Sequence, residues 1–177
     1  MISDFVKGKK QFDYPPPVFE GIRLHRLIDA FTDNHPATKE AKQYFKPTVG
    51  LYAGAFVDVT YDHFLAIDTN ELDDAGWRSF AGWVYEELNN HAAILPDRFA
   101  RMLPYMEEQN WLYNYRFSQG IENSFHGLAR RAAYLTGAEQ AFAAFTEHYD
   151  ALKNAYRDFF PDVKKFAENE LAGRLII

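Results

Sequence analysis

The stretch "RLHRLIDAFTDNHP", residues 23–36, sets His25, Asp29 and Asp33 four positions apart among Leu24, Leu27, Ile28 and Phe31. On an α-helix, residues i and i+4 lie one above the other on one face. An imidazole and a carboxylate at that spacing can bind one divalent ion, or can simply hydrogen-bond to each other. Asp33 either extends the line or caps the end of the helix. Arg26 alongside can pair with a phosphate or with one of the acids. A second polar group stands in "VDVTYDHF", where Asp58 and Asp62 are again four apart and His63 follows directly. Burying an unpaired carboxylate is costly, so acids in an otherwise apolar helix need a partner. A metal ion is one such partner; Arg23 or Arg26, in a structural salt bridge, is another; otherwise Asp58 and Asp62 lie on a solvated face and need none. Asp4, between Ile2 and Phe5 in "ISDFVKG", carries no meaning alone.

The donor types restrict the chemistry. The chain of 177 residues has no cysteine, which excludes a thiolate zinc site, a cysteine nucleophile and a disulfide scaffold. Oxygen and imidazole donors favour Mn²⁺, Mg²⁺ or Fe²⁺ over structural zinc. The matching reaction is hydrolysis of a phosphate ester, in which the ion polarises a phosphoryl oxygen and acidifies bound water. A basic side chain would hold the remaining phosphate charge. His35, His91, His126 and His148 show no comparable pairing with acids, and Tyr113 and Tyr115 in "WLYNYR" read as core aromatics.

Helices must place these groups. After "DYPPPVF" the pattern predicts a helix from Val18 to Thr32, then one from Pro36 to Phe45, with Pro47 and Gly50 breaking the chain. Residues 51–68 are ambiguous. Val57, Val59 and Thr60 lean towards strand, whereas Phe56, Val59, His63 and Ile67 keep a helical period, as do Asp58 and Asp62; the segment is read as helix. A further helix starts at Asp73 or Asp74, with Phe80, Val84 and Leu88 on one face and Trp77 and Trp83 close by. "PDRFARMLPYMEEQNWLYNY" reads as two helices split by Pro104, and "IENSFHGLARRAAYL" as one stopping near Gly137. Phe142, Phe145, Tyr149, Leu152 and Tyr156 mark a long helix ending at Pro161, followed by a short one and an apolar tail. With no strand pair or hairpin, the expected fold is all-α: a single domain, residues 1–177, of about seven or eight helices around one aromatic core.

Hydrophobic residues make up 47% of the chain and aromatics 17%, so it should fold. No apolar run reaches the roughly 20 residues of a spanning helix, and "MISDFVKGKK" lacks the order of a signal peptide. The expectation is a cytoplasmic protein with no membrane contact. A net charge of −6 argues against nonspecific nucleic-acid binding. Lys7, Lys9 and Lys10, with Arg130 and Arg131, are the local basic groups, either docking patches or solvated surface.

Five segments now stand together: "ISDFVKG", "PPPVFEGIRLHRLIDAFTDNHPATKEAKQYF", "DVTYDHFLA", "WLYNYRFSQGIENSFHGLARR" and "HYDALKNAYRDFFP". In order and spacing they closely resemble the acyl carrier protein phosphodiesterases over nearly the whole chain. The resemblance implies a helical, HD-phosphohydrolase-like fold. It also implies Mn²⁺-dependent hydrolysis of the phosphodiester that joins 4′-phosphopantetheine to a serine of holo acyl carrier protein. On the matching positions it implies Asp4, His25, Asp29 and Asp62 as metal ligands. Arg26, Asp58 and His63 would then serve proton transfer, phosphate contact or support of the ligands. The usual HD dipeptide is absent; Asp62-His63 has the reverse order.

Family members begin upstream, with an apolar segment containing a histidine and then a glycine-asparagine pair. This chain is therefore expected to lack about one N-terminal helix. A missing ligand would leave its site incomplete, and a second copy in a homodimer could fill the gap. Carrier proteins are generally acidic, so the basic groups are the expected docking points. Two other functions fit the residues: hydrolysis of another small phosphate ester, and a non-catalytic module that binds a carrier protein.

Overall fold

Proline decides where the first helix begins. In the computed structural model, which describes residues 1–132 and 136–174, Pro15 is the N-cap of α1 (Pro16–Asn34) and further prolines fill its first turn. A missing N–H costs no ladder bond there. His35 separates α1 from α2 (Pro36–Val49), its Nδ1 accepting from the backbone N–H of Ala37 at 3.2 Å. Gly50 then turns the chain at φ +57°, in the left-handed region glycine tolerates, before α3 (Ala53–Ala66). The ambiguous segment is thus helical. Its apolar residues face several sides at once, with Phe56, Val57, Thr60, Tyr61, His63 and Phe64 all buried, and burial on that scale overrides β-branched propensity.

The remaining helices are α4 (Asp74–Asn90), α5 (Asp97–Glu108), α6 (Trp111–Asn114), α7 (Ser118–Arg131), α8 (Ala138–Glu147) and α9 (Tyr149–Arg174). The described residues therefore hold nine α-helices and no strand, an all-α fold. None of these helices is long and apolar enough to cross a membrane.

Proline did not break the chain as expected. α2 runs through Pro47, α5 through Pro104 and α9 through Pro161. Each proline forfeits one ladder bond, but buried residues on both sides keep the helix seated: Phe45 and Val49, Leu103 and Met106, Phe159 and Val163. The expected long helix through Tyr149 does break, at His148 (φ −105°, ψ 22°), whose ring packs on Tyr44 at 4.6 Å. α7 ends at Arg131, short of Gly137, and residues 133–135 and 175–177 lie outside the described ones.

Two apolar clusters replace the single core expected. The larger joins α2, α3, α7, α8 and α9 through Phe45, Phe56, Phe64, Phe125, Phe145 and Tyr156. The smaller gathers Ala66, Trp77, Tyr85, Phe99, Leu103 and Tyr113. The buried face of α4 is Trp77, Ala81 and Tyr85, whereas Phe80 and Trp83 are exposed, a correction to the face read from the sequence. Asp73 caps α4 by accepting from Gly76 N at 2.7 Å. Asp74 accepts from the Tyr113 hydroxyl at 2.6 Å, from Arg78 at 2.9 Å and from Arg116, fastening α4 to α6.

Phe45, Phe56 and Phe125 pack as a triad with centroid separations of 4.7–6.0 Å. Phe45→Ala should cost about 3–5 kcal/mol, lowering the melting midpoint by roughly 6–20 °C. Leu51→Ala, at a fully exposed position, should move it by less than about 1–2 °C in the same thermal scan.

Candidate functional site

The N-terminal segment is short on regular structure, yet it is tightly held. It forms two 3₁₀ turns, Ser3–Phe5 and Gly8–Asp13. Arg26 on α1 reaches across to both sides of it, donating from Nη2 to the Val6 carbonyl and from Nη1 to Gln11 Oε1, each at 2.6 Å. Phe5 packs edge-on against Phe99 at 5.4 Å, and Val6 is buried. These contacts bring Asp4 to the polar face of α1. One ligand atom each from Asp4, His25 and Asp29 then lie within 4.8 Å of one another. His25 Nδ1 and Asp29 Oδ2 share a hydrogen bond of 2.9 Å, which fixes the ring against the carboxylate.

The acid pair of α3 faces the same region. Burial pushes the carboxyl of Asp58 up to about 6, helped by Asp33 and Asp29 and by Asp4, with Lys42 opposing. Burial pushes Asp62 up to about 7, helped by Asp58. The Met1 amino group, pushed down by its own burial, lies within electrostatic reach of Asp4, Asp29 and Asp62. Both α3 side chains still meet solvent. They stand against a wall of protein on one side, so water tempers the burial effect, and the crowding of like charges is the part a cation would relieve.

The donor set fits a hard divalent ion. Two carboxylates and an imidazole, with no thiolate, suit Mn²⁺, Mg²⁺ or Fe²⁺. Octahedral donors on opposite sides of such an ion stand about 4.2 Å apart, twice a bond of about 2.1 Å. Atoms already within 4.8 Å need only small side-chain movements to close on it. Asp62 is not part of that tight group, although it borders it through Asp58.

Other residues singled out in the sequence lie elsewhere. His63 is buried with both ring nitrogens engaged, Nδ1 with the Tyr115 carbonyl at 2.8 Å and Nε2 with the Tyr149 hydroxyl at 3.0 Å. It is packed among core aromatics, and neither nitrogen is left to move a proton. Arg26 is occupied by the N-terminal segment. Asp33 caps nothing; it accepts from Lys42 Nζ at 2.6 Å. Arg23 pairs with Glu20 at 3.1 Å. His35 does meet an acid, Asp162, at 3.3 Å, contrary to the sequence reading. Tyr113 is a core aromatic as expected.

The side chain sequence reasoning missed is Lys42. It projects from α2 to the end of the acid stripe, contacting Asp33 and opposing the charge of Asp58. The signal was present: Lys42 and Lys46 repeat the four-residue spacing of Asp29 with Asp33 and of Asp58 with Asp62. Only the packing of α2 against α3 makes the three stripes neighbours.

Comparison with known proteins gives one family. The model of the family described as acyl carrier protein phosphodiesterase matches residues 1–163. Proteins named acyl carrier protein phosphodiesterase from Salmonella agona, Salmonella newport and Salmonella heidelberg are each 34% identical to this chain over 165 residues, covering 91% of it and 84% of theirs. No solved structure matches the chain.

Burial pushes the pKa of His63 below its ordinary value of 6.5, against the raising effect of its bond to the Tyr115 carbonyl. The unfolded chain therefore binds the extra proton first. The stability tied to this residue is full above about pH 6.5 and is lost as pH falls through the lowered value. Asp58 and Asp62, whose carboxyls are pushed up, act with the opposite sign over the same range, because there the folded chain binds protons first. The His63 contribution is therefore read as a difference: between pH 7.5 and 5, the melting midpoint of the native chain should fall relative to that of His63→Gln.

Proposed function

The chain belongs to the acyl carrier protein phosphodiesterase family, and from that premise we propose that it is a metal-dependent phosphodiesterase. Its substrate is holo acyl carrier protein, and its products are the apo protein and 4′-phosphopantetheine. The observation that carries the reading is the meeting of Asp4, His25 and Asp29 within 4.8 Å, from two chain segments that only folding brings together.

Asp4, His25 and Asp29 would hold a divalent ion, Mn²⁺ or else Mg²⁺ or Fe²⁺, with Asp62 closing the set from α3. Such an ion, when bound, supplies polarisation of a phosphoryl oxygen and an acidified water. Asp58 has a distinct part. Its carboxyl, pushed up to about 6 chiefly by burial, carries a proton in a minority of molecules at neutral pH and in more of them as pH falls. As the serine oxygen–phosphorus bond breaks, that proton passes to the departing serine oxygen. Lys42 faces the phosphate charge. Arg26 acts through Asp4, which it keeps in place, and so is a positioning residue.

The carrier protein needs a surface to dock on. Lys7, Lys9 and Lys10 are exposed and follow Asp4 directly along the chain, and Arg130 and Arg131 are exposed at the end of α7. Opposite charge on an acidic carrier protein would raise the encounter rate at low salt. Cytoplasmic residence belongs to the same proposal.

Mass spectrometry of holo acyl carrier protein incubated with the chain and Mn²⁺ tests the reading. The phosphopantetheine mass should be lost, and chelation should stop the loss. Asp29→Ala should slow it by about 100-fold or more, the scale of removing one electrostatic contact to a transition state. Mn²⁺ at about 100 times its Kd should stabilise the native chain by about 2.7 kcal/mol, and this variant should lose the shift. No loss of mass, together with turnover of bis(p-nitrophenyl) phosphate, would assign the site to a different phosphate ester.

A further inference from the structure

Beside the acid cluster lies a groove of about 680 Å³ between α2 and α3. That volume falls within the range of sites for small ligands, about 300–1,000 Å³. Asp33 and Asp58 line it, and Asp58 is within electrostatic reach of Asp29 and Asp4, so the groove and the cluster share a border at Asp58. Lys42 stands where they join. Its Nζ is fixed by Asp33 at 2.6 Å, and its side chain is only 19% exposed. Lys46 lies one turn further along α2, with no ion pair to it among the described residues.

The lining describes its occupant. Two lysines and two aspartates leave the groove close to neutral, and its carboxylates would oppose a polyanion. The floor is open because Gly54 and Ala55 carry little or no side chain. At the rim Leu51 is 103% exposed, an apolar side chain that packs against nothing in this fold. A neutral, extended chain with amide groups suits such a channel. Its carbonyls can accept from the lysines, its methylenes can lie on Leu51, and its phosphate end can reach the acid cluster past Lys42.

We propose that this groove binds the pantetheine limb of the substrate, with Lys42 marking the junction between limb and phosphate. The inference rests on the phosphodiesterase reading above and extends it: the limb itself is recognised, as well as the diester. A limb lying along α2 and α3 also leaves the face of Lys7, Lys9 and Lys10 to the carrier protein.

Two variants test it, Leu51→Glu, which puts a charge at the rim, and Ala55→Trp, which fills the floor. Thermal scans check that both fold. Free pantetheine should inhibit turnover of holo acyl carrier protein by the native chain competitively. Each variant should raise KM for the holo protein and the inhibition constant for pantetheine by about tenfold or more. The ratio of kcat/KM on holo acyl carrier protein to that on bis(p-nitrophenyl) phosphate, a diester without the limb, should fall by a similar factor. If the native chain turns over the holo protein but pantetheine does not compete and folded variants keep the native KM, the groove proposal is overturned. If the native chain turns over no holo protein, the phosphodiesterase reading fails separately, and calorimetry with 4′-phosphopantetheine decides the groove. Binding weakened about tenfold by Leu51→Glu supports it, and no binding overturns it.

Discussion

Carboxylates repel, and this fold gathers five of them. Asp29 and Asp33 on α1, Asp58 and Asp62 on α3, and Asp4 on the N-terminal turn sense one another electrostatically. Two unit charges 4 Å apart interact by about 1 kcal/mol in water and about 4 kcal/mol near a protein surface. Left alone, such a group would push its helices apart. Something must hold the elements in register against that push, and the aromatic packing behind them does so. α3 presents its acids on one side and buries Phe56, Val57, Tyr61 and Phe64 on the others. The same residue positions that make the helix a strong core element leave Asp58 and Asp62 no face but the polar one.

The N-terminal segment shows how side chains replace regular structure. With only two 3₁₀ turns, it has few ladder bonds to stabilise it. Arg26 supplies two hydrogen bonds from one planar guanidinium, Phe5 buries apolar surface at the edge of the smaller cluster, and Val6 is buried. Asp4 is thereby placed with a ligand atom within 4.8 Å of one on each of His25 and Asp29, although it is some twenty residues away in sequence. A planar, five-donor head group suits that task better than a lysine would.

Lys42 connects the two halves of the site. One contact to Asp33 satisfies an acid, steadies the lysine and leaves a positive charge between the acid cluster and a nearly neutral groove. The chain turns at Gly50 and then uses Ala53, Gly54 and Ala55, whose small side chains leave the groove between α2 and α3 unfilled. A larger residue at Gly54 would meet Lys42 Cε at 3.4 Å from its Cβ.

The sequence alone determined the fold class, most helices and the residue types of the site, because helical periodicity and the four-residue spacing of acids are local properties of the chain. Tertiary structure decided the rest. Pro47, Pro104 and Pro161 read as breaks, yet one lost ladder bond weighs less than the buried neighbours that hold each helix in line. His63 reads as a partner of Asp62, but successive helix residues point about 100° apart, and packing turned His63 to Tyr115 and Tyr149. Asp4 reads as nothing until Arg26 brings it home, and the four-residue spacing of Lys42 and Lys46 does not say which acids they meet. Proximity between distant segments follows from how the helices bury their apolar faces against one another, and no spacing within a single segment encodes it.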